Sequence, residues 1–577
     1  MPRTNEEVER VLNEYRDLLS VTSPDPFKAR AYEKAARSIG GYHADIRDFD
    51  LKQLQAIPNV GKSIAEKVED YLRSGSIPAL EELRAQIPAG VRQLMTIPGL
   101  GPKKAMSLYD ELRISSVEEL LDAIHEQRLG GLKGFGAKTE ENILRGIQLM
   151  QQSGGRVLIS VALDLAEELL GELSSMKQVQ RSEYAGSLRR MAETIGDIDL
   201  LVASEEPRPV MNAFTGGPYV ERVLAHGDTK SSVLTTKGLQ VDLRVVPLEV
   251  WGAALQYFTG SKAHNIRIRE MAVRKKLKLS EYGLFHADTE KLIVAETEEE
   301  VYERLGLPWI PPTLREDRGE VQAALAGELP DVLERKQLKG DLHTHTDLTD
   351  GLAPLERMVE TAAGLRYAYY AVTDHAPNLY MQRMTDEKML EQRHQVRKLQ
   401  SRYPKMTLLH GSELNIDPDG GVDWDAEFLD GFDVCVASVH SHFNQTREEM
   451  TRRIVRAMEN PHVNVIGHPT ARMIGHRPPI DYDVDEVFEA AARTGTALEV
   501  NSYPDRLDLN DEHIRWAGRH GVKFSVDTDS HSTVHLEFMR FGVGQAQRGW
   551  LTKDDVINTW PLAKLRKFLR KNRPERG

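Results

Sequence analysis

The sequence predicts a multidomain protein of mixed α+β and α/β class, with a helical N-terminal region, an α/β middle and a C-terminal barrel of alternating strands and helices. Three observations carry that expectation. Glycine-containing turns recur between helical stretches in the first 150 residues. A carboxylate pair, Asp197 and Asp199, opens an apolar run in the middle. Short apolar runs in the last two-fifths end on histidines or carboxylates. At 577 residues the chain is long enough for several domains, each with its own core.

Whole-chain properties narrow the function classes. The single Cys435 excludes an internal disulfide framework and a CxxC redox site, and its place in Val434-Cys435-Val436-Ala437 is that of a small buried hydrophobe. No apolar stretch approaches membrane-spanning length and the N-terminus is charged from the start, so a cytoplasmic protein with no membrane partner is expected; the expected assembly is a monomer. The net charge of −13 is unevenly placed. Between Ile266 and Lys278 stand Arg267, Arg269, Arg274, Lys275, Lys276 and Lys278 against one acid, Glu270. Such a local basic face can neutralise nucleic-acid phosphates whatever the total.

The N-terminal third repeats one theme: Ile57-Pro58-Asn59-Val60-Gly61-Lys62, Ile97-Pro98-Gly99-Leu100-Gly101-Pro102-Lys103-Lys104 and Leu132-Lys133-Gly134-Phe135-Gly136-Ala137-Lys138. Each is a hydrophobe, a turn and a helix start. Glycine permits positive φ and close approach of another backbone, and the helix N–H groups beside a lysine can bind an anion. These segments resemble helix-hairpin-helix motifs, which grip DNA phosphates without reading sequence. The resemblance makes Gly61, Gly99, Gly101, Lys103, Gly134 and Gly136 the DNA-contact candidates. Asn59 stands where the first motif usually has glycine.

In the middle, Gly186-Ser187-Leu188-Arg189-Arg190 precedes Gly196-Asp197-Ile198-Asp199. Residues two apart on a strand share a face, so Asp197 and Asp199 present paired carboxylates. Asp242, in the run Leu239–Val246, supplies a third. Three converging carboxylates repel unless cations bridge them, and two Mg²⁺ ions suit phosphoryl transfer. This set resembles the nucleotidyltransferase superfamily. Tyr257-Phe258-Thr259-Gly260-Ser261 with Asn265 and Arg269, and Ser280-Glu281-Tyr282-Gly283, narrow the likeness to the family-X DNA polymerases typified by DNA polymerase β. The resemblance implies that Asp197 and Asp199 ligate both metals, Mg²⁺ or Mn²⁺, and that Asp242 binds the one activating the primer 3′-hydroxyl. It implies further that Gly186, Ser187 and Arg190 hold the incoming triphosphate, with Gly260 in the nucleotide site. Tyr257 and Phe258 would lie under the sugar, and Asn265 and Arg269 would contact the new pair and the template. Lys262 stands where the β enzyme has an acid, and its charge is expected to strengthen nucleotide binding before DNA arrives. Lys67 matches the family's Schiff-base lysine, with Lys28 and Tyr32 at supporting positions. Ser63 replaces an adjacent lysine, so a 5′-deoxyribose-phosphate lyase is the weaker expectation.

The last part carries nine ligand candidates: His343, His345, Asp350, His375, Glu413, His440, His468, Asp529 and His531. All but Asp350 are placed on or just after short apolar runs (Tyr369–Val372, Met406–Leu409, Val434–Val439, Val463–Ile466, Val522–Val526), as in a barrel whose strand ends meet at one mouth. Fourteen of the nineteen histidines follow residue 340, too many for isolated core histidines. His394, His462, His476, His513, His520 and His535 lack that placement and are read as surface or supporting residues. Imidazole and carboxylate without thiolate favour Zn, Mn or Fe, and the number of ligands implies two or three ions, Zn²⁺ or Mn²⁺ or both. His343-x-His345, Asp350-Gly351 and the downstream order resemble the PHP (polymerase and histidinol phosphatase) domain. The likeness implies a distorted (β/α)7 barrel with three metals at its C-terminal mouth and in-line hydrolysis of phosphoesters.

The complete arrangement resembles the bacterial and archaeal family-X polymerases that carry a PHP domain. The expected organisation is a helical DNA-binding domain at 1–80, fingers with further hairpins at 81–150, palm at 151–255, thumb at 256–316, linker at 317–339 and PHP domain at 340–577. The expected function is filling of short gaps in DNA from dNTPs, with the barrel trimming 3′ ends as a 3′→5′ exonuclease on gapped or primed DNA. One alternative gives the barrel an abasic-site backbone, a phosphomonoester or pyrophosphate as substrate. Another makes the chain a DNA-end binding scaffold with a weak polymerase, and the three palm carboxylates argue against it.

Overall fold

Local chemistry sets the helix ends of the N-terminal region. Ser116 Oγ accepts the Glu119 N–H at 3.1 Å to start Val117–His125, and Lys62–Ser74 ends on Gly75 at φ 73°. The computed structural model describes residues 3–571 apart from 24, 98, 127, 130, 131, 133, 137, 138, 141, 142, 145, 148–154, 380 and 381. Pro98, Lys133, Ala137 and Lys138 of the expected hairpins, and the expected boundary at 150, lie outside the described residues. The helices up to His125 enclose a core of their own, from Val8 and Leu12 through Ile64, Val68 and Leu108 to Ile147. All three hairpin turns use positive φ: Asn59 at 64°, Gly99 at 85°, Gly101 at 68° and Gly134 at 90°. Asn59 serves in glycine's place, as a short amide side chain can, and its Nδ2 donates to Ser38 Oγ at 3.0 Å.

The middle is a five-stranded mixed sheet ordered Arg181–Tyr184, Asp197–Ala203, Gln240–Val246, Lys230–Thr235, Val220–His226. Strand alternation sorts its residues. Ile198, Leu200 and Val202, with Val241, Leu243 and Val245, face helices Ile159–Ser174 and Pro207–Thr215 in one core. On the other face Leu201 and Ala203 pack under Trp251, Ala254 and Leu255 of helix Trp251–Thr259. Asp197 and Asp199 continue that second face beyond its apolar cover. Helix Lys262–Arg274, a three-stranded antiparallel sheet and helix Glu298–Arg304 follow.

Residues 317–339 carry packed structure. Helix Glu320–Ala326 buries Glu320, which accepts the Asp317 and Arg318 N–H groups at 3.0 and 2.8 Å and lies 2.6 Å from His264 Nδ1.

The C-terminal part is a seven-stranded parallel barrel in sequence order: Gly340–Asp341, Tyr369–Val372, Thr407–Asn415, Val434–Ser438, Val465–Ile466, Ala497–Asn501 and Phe524–Asp527. A parallel bridge from Thr344 to Ser530 draws the first and last strands together. Five of these strands overlap the apolar runs read from the sequence. The first and sixth fall outside them, so His343 and His345, expected on or just after an apolar run, instead follow the two-residue strand Gly340–Asp341, which none of those runs marks. Inward residues Leu342, Tyr369, Ala371, Leu409, Val436 and Val465 form a plug with Leu565 and Leu569 of helix Leu562–Arg570, which covers one end. The strand C-termini form the other end. Leu507, Phe538 and Phe541 of the barrel belong to the same core as the middle sheet. Arg540 reaches Asp164 and Glu167, and Arg472 reaches Glu193, at the edges of that contact. Among the described residues no helix is long and apolar enough to cross a membrane.

Candidate active sites

The first site lies on the open face of the middle sheet. Strands Asp197–Ala203 and Gln240–Val246 run parallel with Asp199 directly opposite Asp242 and Asp197 one pleat away. The turn before them is shaped by Gly186 at φ 59°, where a Cβ would meet Asp199 Oδ2 at 2.2 Å. Burial first, then the Asp197 and Asp242 charges, push Asp199 up to about 7, with Arg244 and Arg190 opposing. Three acids forced together beside a glycine cradle fit divalent cations, which supply the missing opposite charge.

Around them, Arg190 Nη1 donates to the Thr259 carbonyl at 2.7 Å and Nε to Glu316 Oε1 at 3.0 Å. Ser187 lies half-buried on the short helix Gly186–Arg189. Gly260 takes φ 69°, and a Cβ there would sit 3.3 Å from Arg190 Nη1. Tyr257 and Phe258 meet edge to face at 5.1 Å. The Arg244 guanidinium covers Phe258 at 4.3 Å and Arg269 covers Tyr257 at 5.7 Å. Asn265 is buried, accepting from Gln256 at 2.8 Å and donating to the Tyr257 carbonyl at 2.7 Å, so it braces the aromatic pair. Lys262 is exposed at the start of helix Lys262–Arg274.

The second site is at the barrel mouth, where all nine ligand candidates converge. Glu413 Oε1 lies 3.0 Å from both His440 Nε2 and His468 Nε2, and Oε2 lies 2.9 Å from His375 Nδ1 and 3.5 Å from His343 Nε2 and His345 Nε2. Asp350 Oδ1 lies 3.4 Å from His375 Nε2 and 3.3 Å from His531 Nε2. Asp529 Oδ1 lies 3.2 Å from His345 Nε2 and 3.6 Å from His343 Nε2. Three groups can each hold an ion: His345, Asp350, His375 and His531; His343, His345 and Asp529; His375, Glu413 and His440. Asp350 Oδ1 and His375 Nδ1 are buried, and their close approaches to neighbouring ligand candidates lack hydrogen-bond geometry, as expected of donors aimed at a cation. Burial alone would raise Glu413; the His440, His375 and His343 imidazoles outweigh it and hold the carboxyl well below its usual range.

Several residues behind these ligands escaped the sequence reading. Glu499, on the sixth strand, lies 2.6 Å from His343 Nδ1 and also accepts the His468 N–H. Asn501 donates to Asp529 Oδ2 at 3.1 Å, and Arg506 lies 3.5 Å from that oxygen. Asn415 Oδ1 meets His440 Nδ1 at 2.7 Å, and Gln382 donates to Asp350 at 2.9 Å. Each is placed to orient a ligand candidate. The alternation Ala497-Leu498-Glu499-Val500-Asn501 was the available signal. Among the six histidines set aside, His394 and His476 are exposed, while His535 is buried against Phe538 and accepts the His531 N–H at 3.2 Å.

The N-terminal region reaches this mouth. Arg37 Nη1 lies 3.7 Å from Asp350 Oδ2, and Ser38, Tyr42 and Pro58 share a cleft of about 180 Å³ with Leu352, Ser532 and Thr533. Pro58 belongs to the first hairpin, whose helix Lys62–Ser74 begins at Gly61. Gly61, Gly101, Gly134 and Gly136 face open space, and Lys103 is exposed. Lys67 Nζ lies 6.0 Å from the Tyr32 ring centroid and bonds Ser63 Oγ at 3.2 Å, while Lys28 is exposed on the helix that carries Tyr32.

Comparison with known proteins matches several regions separately. Family models match for a helix-hairpin-helix domain at 3–77, a SAM-like helix-hairpin-helix tandem at 91–148, a DNA polymerase beta thumb at 254–316 and a PHP domain at 341–503. A Bacillus subtilis protein named DNA polymerase/3'-5' exonuclease PolX is 35% identical over 98% of this chain and 99% of its own length. DNA polymerase lambda of Rattus norvegicus is 24% identical over 51% of this chain and 53% of its own. A probable phosphatase of Thermoanaerobacter sp. is 26% identical over 41% of this chain and 96% of its own.

Proposed function

This chain belongs to the family-X DNA polymerases that carry a C-terminal PHP domain, and from that premise we propose that its palm fills short gaps in DNA while its barrel removes 3′-terminal nucleotides. One observation carries the second half: the first DNA-grip hairpin, through Pro58, lines the same cleft as Leu352 and Ser532, which adjoin the ligands Asp350 and His531. A strand held by that hairpin is delivered to the barrel mouth.

Asp197, Asp199 and Asp242 would hold Mg²⁺ or Mn²⁺ in the palm, and the nine barrel donors Zn²⁺ or Mn²⁺. Bound divalent cations supply Lewis acidity, which activates the attacking oxygen and neutralises the leaving one. The side chains do the positioning. Gly186 lets the turn approach Asp199, which would let the Ser187 hydroxyl and the Arg190 guanidinium work beside the carboxylates. Arg190 offers a planar fork to the triphosphate. Tyr257 and Phe258, pinned by Asn265, Arg269 and Arg244, give the sugar a rigid floor that leaves no room for a 2′-hydroxyl. Lys262 adds a cation near the base. Exposed hairpin N–H groups at Gly61, Gly101, Gly134 and Gly136 track the backbone, with Gly99 shaping its turn and Lys103 adding charge. Lys67, with Tyr32 and Lys28 on the neighbouring helix, is the candidate for a lyase step on 5′-deoxyribose phosphate; borohydride trapping on an incised abasic duplex, lost in Lys67→Ala, tests it.

The two activities separate in one assay. A 5′-labelled primer in a one-nucleotide gap is incubated with Mn²⁺, first without and then with dNTPs. His343→Ala is expected to lose stepwise shortening and keep extension, and Asp199→Ala to do the reverse. Shortening that survives in His343→Ala overturns the barrel assignment. The likeness to a probable phosphatase favours a second reading, hydrolysis of a phosphomonoester. Release of inorganic phosphate from a 3′-phosphorylated primer of unchanged length would select it.

A further inference from the structure

The triphosphate arm of the palm is held from the barrel. Arg190 donates to Glu316 Oε1 at 3.0 Å, and that same oxygen accepts Arg548 Nη1 at 2.7 Å. Arg548 Nη1 also donates to the Arg190 carbonyl at 2.9 Å, so one guanidinium grips both the backbone of Arg190 and the carboxylate that grips its side chain. Nη2 of Arg548 lies 2.7 Å from Asp511 Oδ2, which Arg318 meets in turn at 2.9 Å. Arg548 is 9% exposed and ends the barrel helix Met539–Arg548. That helix is seated tightly on the palm: a Cβ at Gly544 would meet Met191 Cε at 2.6 Å, and Phe541 lies in the palm's own core.

The charges alternate along this chain of contacts: Arg190, Glu316, Arg548, Asp511, Arg318. Glu316 is therefore shared between two cations. If only Arg190 faced Glu316, the carboxylate would compete with a polyphosphate for that guanidinium at full strength. With Arg548 taking part of its charge, Arg190 stays oriented and remains free to turn its outer N–H groups to an anion.

We propose that Arg548, a barrel residue, is a positioning residue for nucleotide binding by the polymerase, acting through Glu316 on Arg190. The inference rests on the reading that Arg190 holds the incoming triphosphate. It makes the hydrolytic domain a structural part of the dNTP site, so that the palm's affinity for nucleotide depends on a side chain that touches neither nucleotide nor DNA.

Steady-state insertion of one nucleotide into a gapped duplex tests it, with exonuclease activity and thermal unfolding measured in parallel on the full chain. Arg548→Ala is expected to raise the dNTP KM about tenfold, with a much smaller change in kcat and unchanged primer shortening. Arg548→Lys, which keeps the charge and loses the fork, should fall between. In Arg548→Ala the carboxylate is left to Arg190 alone, so adding Glu316→Gln should return KM most of the way to wild type. A residue that only holds the domains together would not show that recovery. Arg190→Ala is the control for the premise. If it leaves KM unchanged, the reading of Arg190 fails. If it raises KM while Arg548→Ala does not, the inference fails and the reading stands. Loss of both activities in Arg548→Ala without recovery by Glu316→Gln also overturns the inference, leaving Arg548 a structural tie.

Discussion

Gly186 and Asp199 occupy space that only one of them can fill. A Cβ on residue 186 would come within 2.2 Å of Asp199 Oδ2, and φ 59° is costly for any residue with a Cβ. In Gly186→Ala the carboxylate has to move by about an ångström, which is enough to cost on the order of a hundredfold in a positioned reaction. Single-nucleotide insertion should fall by that factor in kcat/KM, with exonuclease activity unchanged. In the barrel the corresponding single-residue test is Glu499. It orients His343 through Nδ1 without being one of the nine converging donors. Glu499→Gln should weaken Zn²⁺ or Mn²⁺ binding about tenfold to a hundredfold, read by competition with a metal indicator, while polymerase activity persists.

At the scale of elements, Glu298 joins three pieces of chain. It opens helix Glu298–Arg304 and accepts Arg189 at 2.9 and 2.8 Å, Arg315 at 2.6 Å and Trp309 Nε1 at 3.2 Å. Burial would raise its pKa, but the Arg315 and Arg189 charges and their hydrogen bonds bring it down to about 2. A carboxyl depressed from about 4.5 to about 2 binds fewer protons folded than unfolded in that interval, so its stabilisation is fully present above about pH 4.5 and is lost as pH falls toward 2. The shift corresponds to about 3 kcal/mol. Glu298→Gln leaves the buried Arg315 and the half-buried Arg189 guanidinium groups without their carboxylate and should lower stability by about 3 kcal/mol at pH 7. Denaturant unfolding from pH 7 to pH 3 should then show a flatter acid limb in the variant. An acid limb of unchanged slope would assign the acid sensitivity elsewhere.

At the scale of the molecule, the cores set the cooperative units. The N-terminal region has a core confined to residues 8–147 among those described, whereas Phe538, Phe541 and Leu507 of the barrel are built into the palm. Interfaces of this apolar kind resist independent motion. Calorimetry should therefore resolve a lower-enthalpy transition for the N-terminal region and one shared transition for palm and barrel. Phe541→Ala, at a side chain 1% exposed, should lower the shared transition by several degrees and leave the other in place. Removing divalent ions with a chelator should also lower the shared transition, since the converging barrel carboxylates and imidazoles bind cations only when folded. Three resolved transitions would show that palm and barrel fold separately.

Much of both sites was legible because strand periodicity and chain order expose it. Asp197 and Asp199 share a face through their spacing, and ligand candidates such as His375, Glu413 and His440 follow or extend the apolar runs that form strands. Positive-φ turns were marked by Gly99, Gly101 and Gly134, while Asn59, the departure from glycine, kept the turn by adopting the same conformation. The sixth strand escaped notice because Glu499 and Asn501 point at the ligand candidates and break the apolar run that marks a buried strand, leaving only its alternation as a signal. Residues 317–339 read as a linker because they are charged and carry no motif of either neighbouring domain, yet Arg318 and Glu320 direct those charges to Asp511 and His264. The sequence by itself therefore determined the overall fold class and which residues could meet as candidate sites. Only the tertiary structure decided which charges are paired and which domains share a core. Arg548 and the Arg190 backbone it holds stand 358 residues apart, and no local pattern encodes a partner at that separation.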